Sequence, residues 1–248
     1  MNLSGSTFDV YAMNSDGSGI RRLTRAVGLD SYAAWSPDSR RLVFAGGRGV
    51  GAVTTELYVM NGDGSGRRQL THNHGLSSMP AWSPDGKKIA FEIDALPAAV
   101  WVMNADGKLQ HRLTPRSEND YNPAWSPNGR RIAFARKRGG NVDIYVMNVD
   151  GSHPRRLTRA HGVDAKPAWS PDGRRIAFQS NRNGNFEVYV MSSDGSNQTR
   201  LTRSGAEDSN ATWAHDSKRI AFQSDRSGDF EIWVMNSNGA SPHQLTHG

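Results

Sequence analysis

The sequence predicts an all-β repeat protein, because two phrases recur in one register and turn signals separate short segments of alternating apolar residues. The first phrase, of the form Trp-Ser-Pro-Asp-Gly followed by two basic residues and an apolar segment, begins at Trp35, Trp82, Trp125, Trp169 and Trp213. The second, of the form Tyr-Val-Met-Asn-x-Asp-Gly-Ser, surrounds Met13, Met60, Met103, Met147, Met191 and Met235. Successive copies lie 43 to 47 residues apart.

Each repeat predicts four short antiparallel strands, and the fourth full repeat shows the pattern most clearly. Its predicted strands are Lys166–Ser170, Arg175–Gln179, Glu187–Met191 and Thr199–Thr202, joined by turns rich in Gly, Asn and Asp. A four-stranded unit of this length can bury both faces only against neighbouring units, so the repeat predicts one blade of a β-propeller.

The unequal numbers of the two phrases predict five full blades plus one half blade in about six-bladed geometry, within one domain of residues 1–248. Residues 1–34 form the half blade and its connection, and full blades start near Ala33, Pro80, Pro123, Pro167 and Ala211. A closed five-bladed ring with a loose N-terminal hairpin is the alternative. The half blade predicts an unpaired edge around Asp9 to Met13, through which two copies could form a homodimer.

Composition excludes several classes of function. The net charge of +6 could indicate nucleic acid, but 18 of the 30 Lys and Arg residues are spread evenly over the repeats, so nucleic acid is not the expected partner. The absence of cysteine excludes disulfides and thiolate metal sites. No apolar run is long enough for a membrane helix, and residues 1–6 do not form a signal peptide, so neither membrane insertion nor export is indicated.

The repeat phrases, such as Pro-Ala-Trp-Ser-Pro-Asp-Gly-Arg-Arg-Ile-Ala-Phe at residues 167–178, resemble the TolB-type β-propeller family over residues 8–248. Related repeats occur in the propellers that gate prolyl-oligopeptidase-like and tricorn-like proteases. The resemblance implies a bacterial, periplasmic or extracytoplasmic protein that contacts other proteins. The residues themselves leave the localisation open.

The sequence contains no catalytic motif in the structural context that its chemistry requires. Residues 47–52 match the glycine spacing of a dinucleotide-binding fingerprint. The match does not indicate a nucleotide site, because the fingerprint needs a following helix and a strand is predicted instead. The chain has no G-x-S-x-G elbow and no P-loop. His72 and His74 lack a third ligand at metal spacing. We therefore expect no enzymatic activity and no cofactor, apart from a cation that could bind in the channel.

A recurring acidic position is the strongest candidate for a binding site. Five residues before each repeat Trp stand Asp30, Ser77, Asp120, Asp164 and Asp208, so four of these five positions are acidic. The aspartates could cap their loops by accepting backbone N–H bonds, or form a ring at one mouth of the channel that binds Ca²⁺ or a basic segment. Tyr32, Tyr121, Lys166 and His161 lie near them in sequence and complete the predicted mouth.

The other repeated residues predict structure. The repeat tryptophans Trp35, Trp82, Trp125, Trp169 and Trp213 are expected in the core between blades. The spacing of Arg182 and Glu187, and of Arg226 and Glu231, predicts ion pairs across a loop, whereas Ala99 replaces the usual Glu.

Together these features predict a non-enzymatic protein-binding or scaffold module that acts through loops at the channel mouth. One alternative is the gating propeller of a larger serine peptidase or hydrolase. Another is an excised or engineered repeat scaffold without a ligand.

Overall fold

The computed structural model describes residues 8–25, 28–47, 54–73 and 75–247, and within these ranges the chain forms strands and turns without a helix. The chain divides into two compact units, residues 1–123 and 124–248, and each is described by itself.

The first unit begins with a two-stranded sheet and continues with two four-stranded blades. The two-stranded sheet consists of β1 (Tyr11–Ala12) and β2 (Arg21–Arg22). Blade 1 consists of β3 (Asp30–Trp35), β4 (Arg41–Gly47), β5 (Thr55–Asn61) and β6 (Arg68–Gln69). Blade 2 consists of β7 (Ser77–Trp82), β8 (Lys88–Ile93), β9 (Ala99–Asn104) and β10 (His111–Arg112).

The second unit contains two whole blades and most of a third, whose first strand spans the boundary. Blade 3 consists of β11 (Asn119–Trp125), β12 (Arg131–Arg138), β13 (Asn141–Asn148) and β14 (Arg155–Arg156). Blade 4 consists of β15 (Asp164–Trp169), β16 (Arg175–Ser180), β17 (Glu187–Ser192) and β18 (Thr199–Arg200). Blade 5 consists of β19 (Asp208–Trp213), β20 (Arg219–Ser224), β21 (Glu231–Asn236) and β22 (His243–Gln244).

Each blade pairs its four strands in sequence order and antiparallel, so the predicted propeller of five four-stranded blades and a partial blade is confirmed. The first strand of each blade starts a few residues before the predicted one; in blade 4 it starts at Asp164 rather than Lys166. The reason is a β-bulge, which shifts the register between Ala165 and Ala168 and interrupts the alternation of apolar residues.

The core lies between successive blades. In unit 1, Val43, Leu57 and Leu70 of blade 1 pack with Trp82 and Phe91 of blade 2. In unit 2, the corresponding residues of blades 4 and 5 form an equivalent cluster around Trp213 and Phe222. This packing is what a blade requires, since its own two faces are otherwise open to water.

The repeat tryptophans are not equally buried. Trp82 is 7% exposed and Trp213 is 9% exposed, and both donate Nε1–H to a carbonyl of the preceding blade. Trp125 and Trp169 are half-buried. Trp35 is 44% exposed, so the expectation of a core position is wrong for this residue.

The Leu-Thr pair of each repeat closes the short last strand. In all six copies the Thr hydroxyl accepts a hydrogen bond from a main-chain N–H of the third strand, at 2.8 to 3.1 Å. The hydroxyl of Thr202 also donates to Glu187, a fully buried carboxylate that pairs with Arg200 at 2.5 Å. In blade 2 the residue that corresponds to Glu187 is Ala99, so that position offers no carboxylate to the hydroxyl of Thr114.

We expect Thr202→Val to lower the free energy of unfolding by about 2–3 kcal/mol, because it leaves the Val188 N–H without its acceptor and Glu187 Oε2 without the Thr202 hydroxyl. Thr114→Val, which removes only the acceptor of Val100 N–H, is the matched control and should cost about 1–2 kcal/mol. Urea unfolding followed by circular dichroism measures both. Equal losses would show that the carboxylate adds nothing.

The glycine of the Asp-Gly hairpin has a packing role in addition to its left-handed backbone. Gly195 has φ +90°, and a Cβ there would lie 2.9 Å from the carbonyl oxygen of Leu157 in the preceding blade. Gly184 has φ +114° and nothing within 4 Å of the corresponding position.

The two glycines therefore separate strain from packing. Gly184→Ala should cost about 1–2 kcal/mol, which is the backbone strain alone. Gly195→Ala should cost more than Gly184→Ala, because the hairpin must also move away from Leu157. Thermal unfolding of both variants tests this, and a Gly195→Ala loss no larger than that of Gly184→Ala would contradict it.

Candidate binding surface

The predicted aspartates begin the first strand of their blades and are buried rather than exposed. Asp30, Asp120, Asp164 and Asp208 are between 0 and 2% exposed, and Ser77 is 0% exposed. Buried carboxylates require charged partners or hydrogen bonds, because leaving water costs several kcal/mol of solvation free energy per ion.

In blades 4 and 5 that partner is an arginine from the loop between the second and third strands. Arg182 Nη2 lies 2.9 Å from Asp164 Oδ2, and Arg226 Nη2 lies 2.7 Å from Asp208 Oδ2. Each guanidinium also covers two aromatic rings. The Cζ of Arg182 lies 4.7 Å from the ring centroid of Tyr189, and that of Arg226 lies 4.7 Å from the ring centroid of Trp233.

Blades 1 and 3 place an arginine over the equivalent rings from other positions in the repeat. Arg67, directly before strand β6, lies 3.0 Å from Asp30 and 4.3 Å from the ring centroid of Tyr58. Arg136, within strand β12, lies 5.0 Å from the ring centroid of Tyr145.

These contacts correct one part of the sequence interpretation. Arg182 pairs with Asp164 and Glu187 pairs with Arg200, so the predicted Arg182–Glu187 pair is wrong. Arg226 likewise pairs with Asp208 rather than with Glu231.

The aspartates also give little geometric support to a calcium site. Among the described residues, no three His, Cys, Asp or Glu side chains are grouped so that they could hold a metal ion. The Oδ1 atoms of Asp164 and Asp208 are buried and have no hydrogen-bond partner within the described ranges. A Ca²⁺ ion at the four aspartates therefore stays a prediction from sequence.

His72 of the two-histidine motif is exposed, and His74 lies outside the described residues. Residues 48–52 of the dinucleotide-binding fingerprint also lie outside them.

The bulge next to each aspartate presents a side chain from strained backbone. Three residues before each repeat Trp stand Tyr32, Met79, Asn122, Lys166 and Asn210, all with φ between 49° and 54°. Left-handed backbone costs a residue with a Cβ about 1–2 kcal/mol, and glycine would avoid that cost. Yet no glycine occupies any of these five positions.

In unit 2 the bulges carry a connected polar row. Lys166 Nζ donates to Asn210 Oδ1 at 2.5 Å, and Asn210 Nδ2 donates to Gln223 Oε1. The main-chain N–H of Asn210 points to Gln179 Oε1, at an N···O distance of 3.4 Å. Lys166 is half-buried and Asn210 is exposed, so solvent reaches this row of amide and ammonium groups. His161 is exposed in the loop before β15.

In unit 1 the bulge of β11 is fixed by an acid that sequence reasoning missed. Glu92 Oε2 accepts the main-chain N–H of Asn122 at 2.9 Å, although Glu92 is only 9% exposed. Burial, together with the charges of Glu92 and Asp120, raises the pKa of Tyr121 to about 12. The Tyr121 phenol is therefore protonated at neutral pH. Tyr32, on β3, is 49% exposed.

The position of Glu92 in the repeat could have marked it in the sequence as a residue with a structural role. It follows the buried Phe of the second strand, where Gln179 and Gln223 stand in blades 4 and 5. A polar residue in an otherwise apolar strand indicates a partner on another element, but the identity of that partner depends on the next blade.

The blades and their charged networks define the class of protein as a β-propeller. Residues 159–248 match the family model of the TolB beta propeller domain, which confirms the TolB-type resemblance of the repeat phrases. No curated protein sequence matches the chain.

Solved structures show the same fold. TolB from Acinetobacter baumannii is 20% identical with a TM-score of 0.82, over 94% of this chain and 58% of that chain. A TolB-type protein of Agrobacterium tumefaciens is 24% identical with a TM-score of 0.79, over 92% of this chain and 84% of that one. The tricorn protease is 18% identical with a TM-score of 0.78, over 96% of this chain and 24% of that chain. The chain therefore has a TolB-like propeller fold.

No helix in the described ranges has the length and apolar character needed to span a membrane.

Proposed function

We propose that this chain is a non-enzymatic binding module that holds a protein or peptide segment along the bulges of the first strands of blades 4 and 5, within unit 2. The observation that carries the proposal is the left-handed backbone at Lys166 and Asn210, whose side chains are joined in one polar row. Side chains kept at strained positions, where glycine would cost less, are typical of sites at which the side chain itself is used.

The chemistry of these side chains suits a peptide. Lys166 and Asn210 offer an ammonium group and an amide with both donor and acceptor atoms, which match main-chain carbonyl and N–H groups. The buried Asp–Arg pairs of blades 4 and 5 support this surface, because they hold the start of the first strand of each of these blades in place.

A selection experiment tests the proposal. Peptides from a displayed random dodecapeptide library are selected on the wild-type chain, and their affinities are measured by fluorescence anisotropy. The variant Lys166→Ala, Asn210→Ala should weaken the selected peptides about tenfold or more.

The matched control carries the same number of alanines on exposed turn residues, at Lys87 and Lys218, and should bind as the wild type does. Equal loss of affinity in both variants, or equal affinity of the bulge variant and the wild type, would contradict the proposed surface.

A propeller within a longer peptidase is the second candidate, and the match to the tricorn protease favours it, since this chain spans 24% of that protein. The flanking gene sequence separates the two candidates. A G-x-S-x-G elbow encoded downstream would favour the peptidase.

Self-association through β1 is a further prediction of the sequence that the exposed residues support. Phe8 is 60% exposed and Tyr11 is 57% exposed, and within the described ranges β1 pairs only with β2. Val10 directs its N–H to Thr24 and its carbonyl to Leu23, so the main-chain groups of Tyr11 face the other edge.

We expect light scattering to show a dimer for the wild type and for Tyr11→Ala, and a monomer for Tyr11→Pro, which lacks the outward N–H. Proline at Val10 would be a poor test, because it would also remove the hydrogen bond to Thr24. A monomeric wild type would contradict pairing through this edge.

A further inference from the structure

A cavity of about 560 Å³ lies between the turns of blades 3 and 4, beside Trp169 at the C-terminal end of β15. Its walls include the indole of Trp169, the rings of Pro127 and Pro171, and the side chains of Arg130 and Arg131. All of its lining residues belong to unit 2.

Two equivalent junctions, one in each unit, are closed by an arginine and a tryptophan. Between blades 1 and 2, Arg41 Cζ lies 5.0 Å from the ring centroid of Trp82, whose Nε1 donates to the Ala34 carbonyl at 3.2 Å. Between blades 4 and 5, Arg175 lies 4.5 Å from the ring centroid of Trp213, whose Nε1 donates to the Ala168 carbonyl at 3.0 Å.

The junction between blades 3 and 4 has the same residues but lacks these contacts. Trp169 is half-buried, and its Nε1 is buried without a hydrogen-bond partner among the described residues. Arg131, which corresponds to Arg41 and Arg175, is exposed, whereas those two are half-buried. Within the described ranges, the Arg131 guanidinium makes neither an ion pair nor a ring contact.

The walls therefore combine an apolar surface with uncompensated positive charge. Arg130 and Arg131 are both exposed. The carboxylate on the wall, Asp172, is held in its own turn, where Oδ1 accepts from Ser170 Oγ at 2.5 Å and from Arg174 N at 3.0 Å. These hydrogen bonds, led by that from Ser170, lower the pKa of Asp172, so it stays ionised and bound within the turn.

We propose that this cavity binds an acidic peptide segment, whose carboxylates pair with Arg130 and Arg131 and whose apolar side chain packs on Trp169. Guanidinium groups hold carboxylates through paired hydrogen bonds, and an indole with two prolines forms a surface for an aliphatic side chain. The chain's net charge of +6 favours the approach of such a segment. This proposal does not depend on the bulge surface, because neither Lys166 nor Asn210 lines the cavity.

The test uses NMR spectroscopy of the full chain, in which the Trp169 indole N–H signal is assigned by its loss in Trp169→Phe. The probe is the capped peptide acetyl-Glu-Glu-Leu-Glu-Glu-amide, and its all-glutamine counterpart is the control ligand. We expect the glutamate peptide to shift the Trp169 signal saturably, and the glutamine peptide to bind at least about tenfold more weakly.

Two arginine variants separate a site from general charge attraction. Arg131→Ala should weaken the glutamate peptide about tenfold. Arg219→Ala, the position-matched change in blade 5, should alter its affinity less than about twofold. No saturable shift at Trp169, or equal losses in both variants, would overturn the proposal. If a twelve-nucleotide single-stranded DNA bound at Trp169 more tightly than the glutamate peptide, the ligand would be a nucleic acid and the peptide proposal would be overturned.

Discussion

Asp208→Asn is expected to lower the free energy of unfolding by about 3 kcal/mol, because it leaves the Arg226 guanidinium without its buried counterion. Breaking one side of a buried pair usually costs about 3–5 kcal/mol. We expect the lower end of that range, since the Arg226 side chain is 21% exposed and keeps part of its hydration. Urea unfolding at neutral pH measures the loss.

Two further variants make this prediction specific. Asp216→Asn, a change of the same kind at an exposed turn residue of the same blade, should have a much smaller effect. Adding Arg226→Met to Asp208→Asn should restore most of the stability, because an apolar side chain can then pack over Phe222 and Trp233. A loss below about 1 kcal/mol for Asp208→Asn would show that the pair is not a structural support.

Trp213→Ala is expected to cost about 3–5 kcal/mol, which is typical of truncating a buried aromatic residue. The indole is 9% exposed, donates to the Ala168 carbonyl and stacks under Arg175. Its loss would therefore open a cavity in the core between blades 4 and 5.

Trp169→Ala is the matched control in the neighbouring blade. This tryptophan is half-buried and lacks both the hydrogen bond and the arginine contact, so its loss should cost about half as much or less. Calorimetric unfolding of both variants would check the order. Equal costs would contradict the difference between the two junctions.

The repeat sequence predicted every blade, because its signals are local. Alternating apolar residues, the Pro-Asp-Gly turn and the Asp-Gly hairpin each act within about ten residues of chain, and all of them recur in register. The extra residue of the bulge at Lys166 was not predicted, since a single left-handed residue leaves no mark in the apolar pattern. The recurring aspartates were predicted at a channel mouth, and their burial was not expected.

The partners of those aspartates depended on the tertiary structure. An arginine reaches the two blade aromatics from the second strand at Arg136, from a loop at Arg182, and from the start of the last strand at Arg67. These positions share no spacing in sequence and meet only because the strands lie side by side. The cavity at the Trp169 junction could not be predicted from the sequence either, because its residues match those of the closed junctions. Sequence by itself determined which segments become strands and turns, whereas packing between strands and blades decided which charges are neutralised and which cavity stays open.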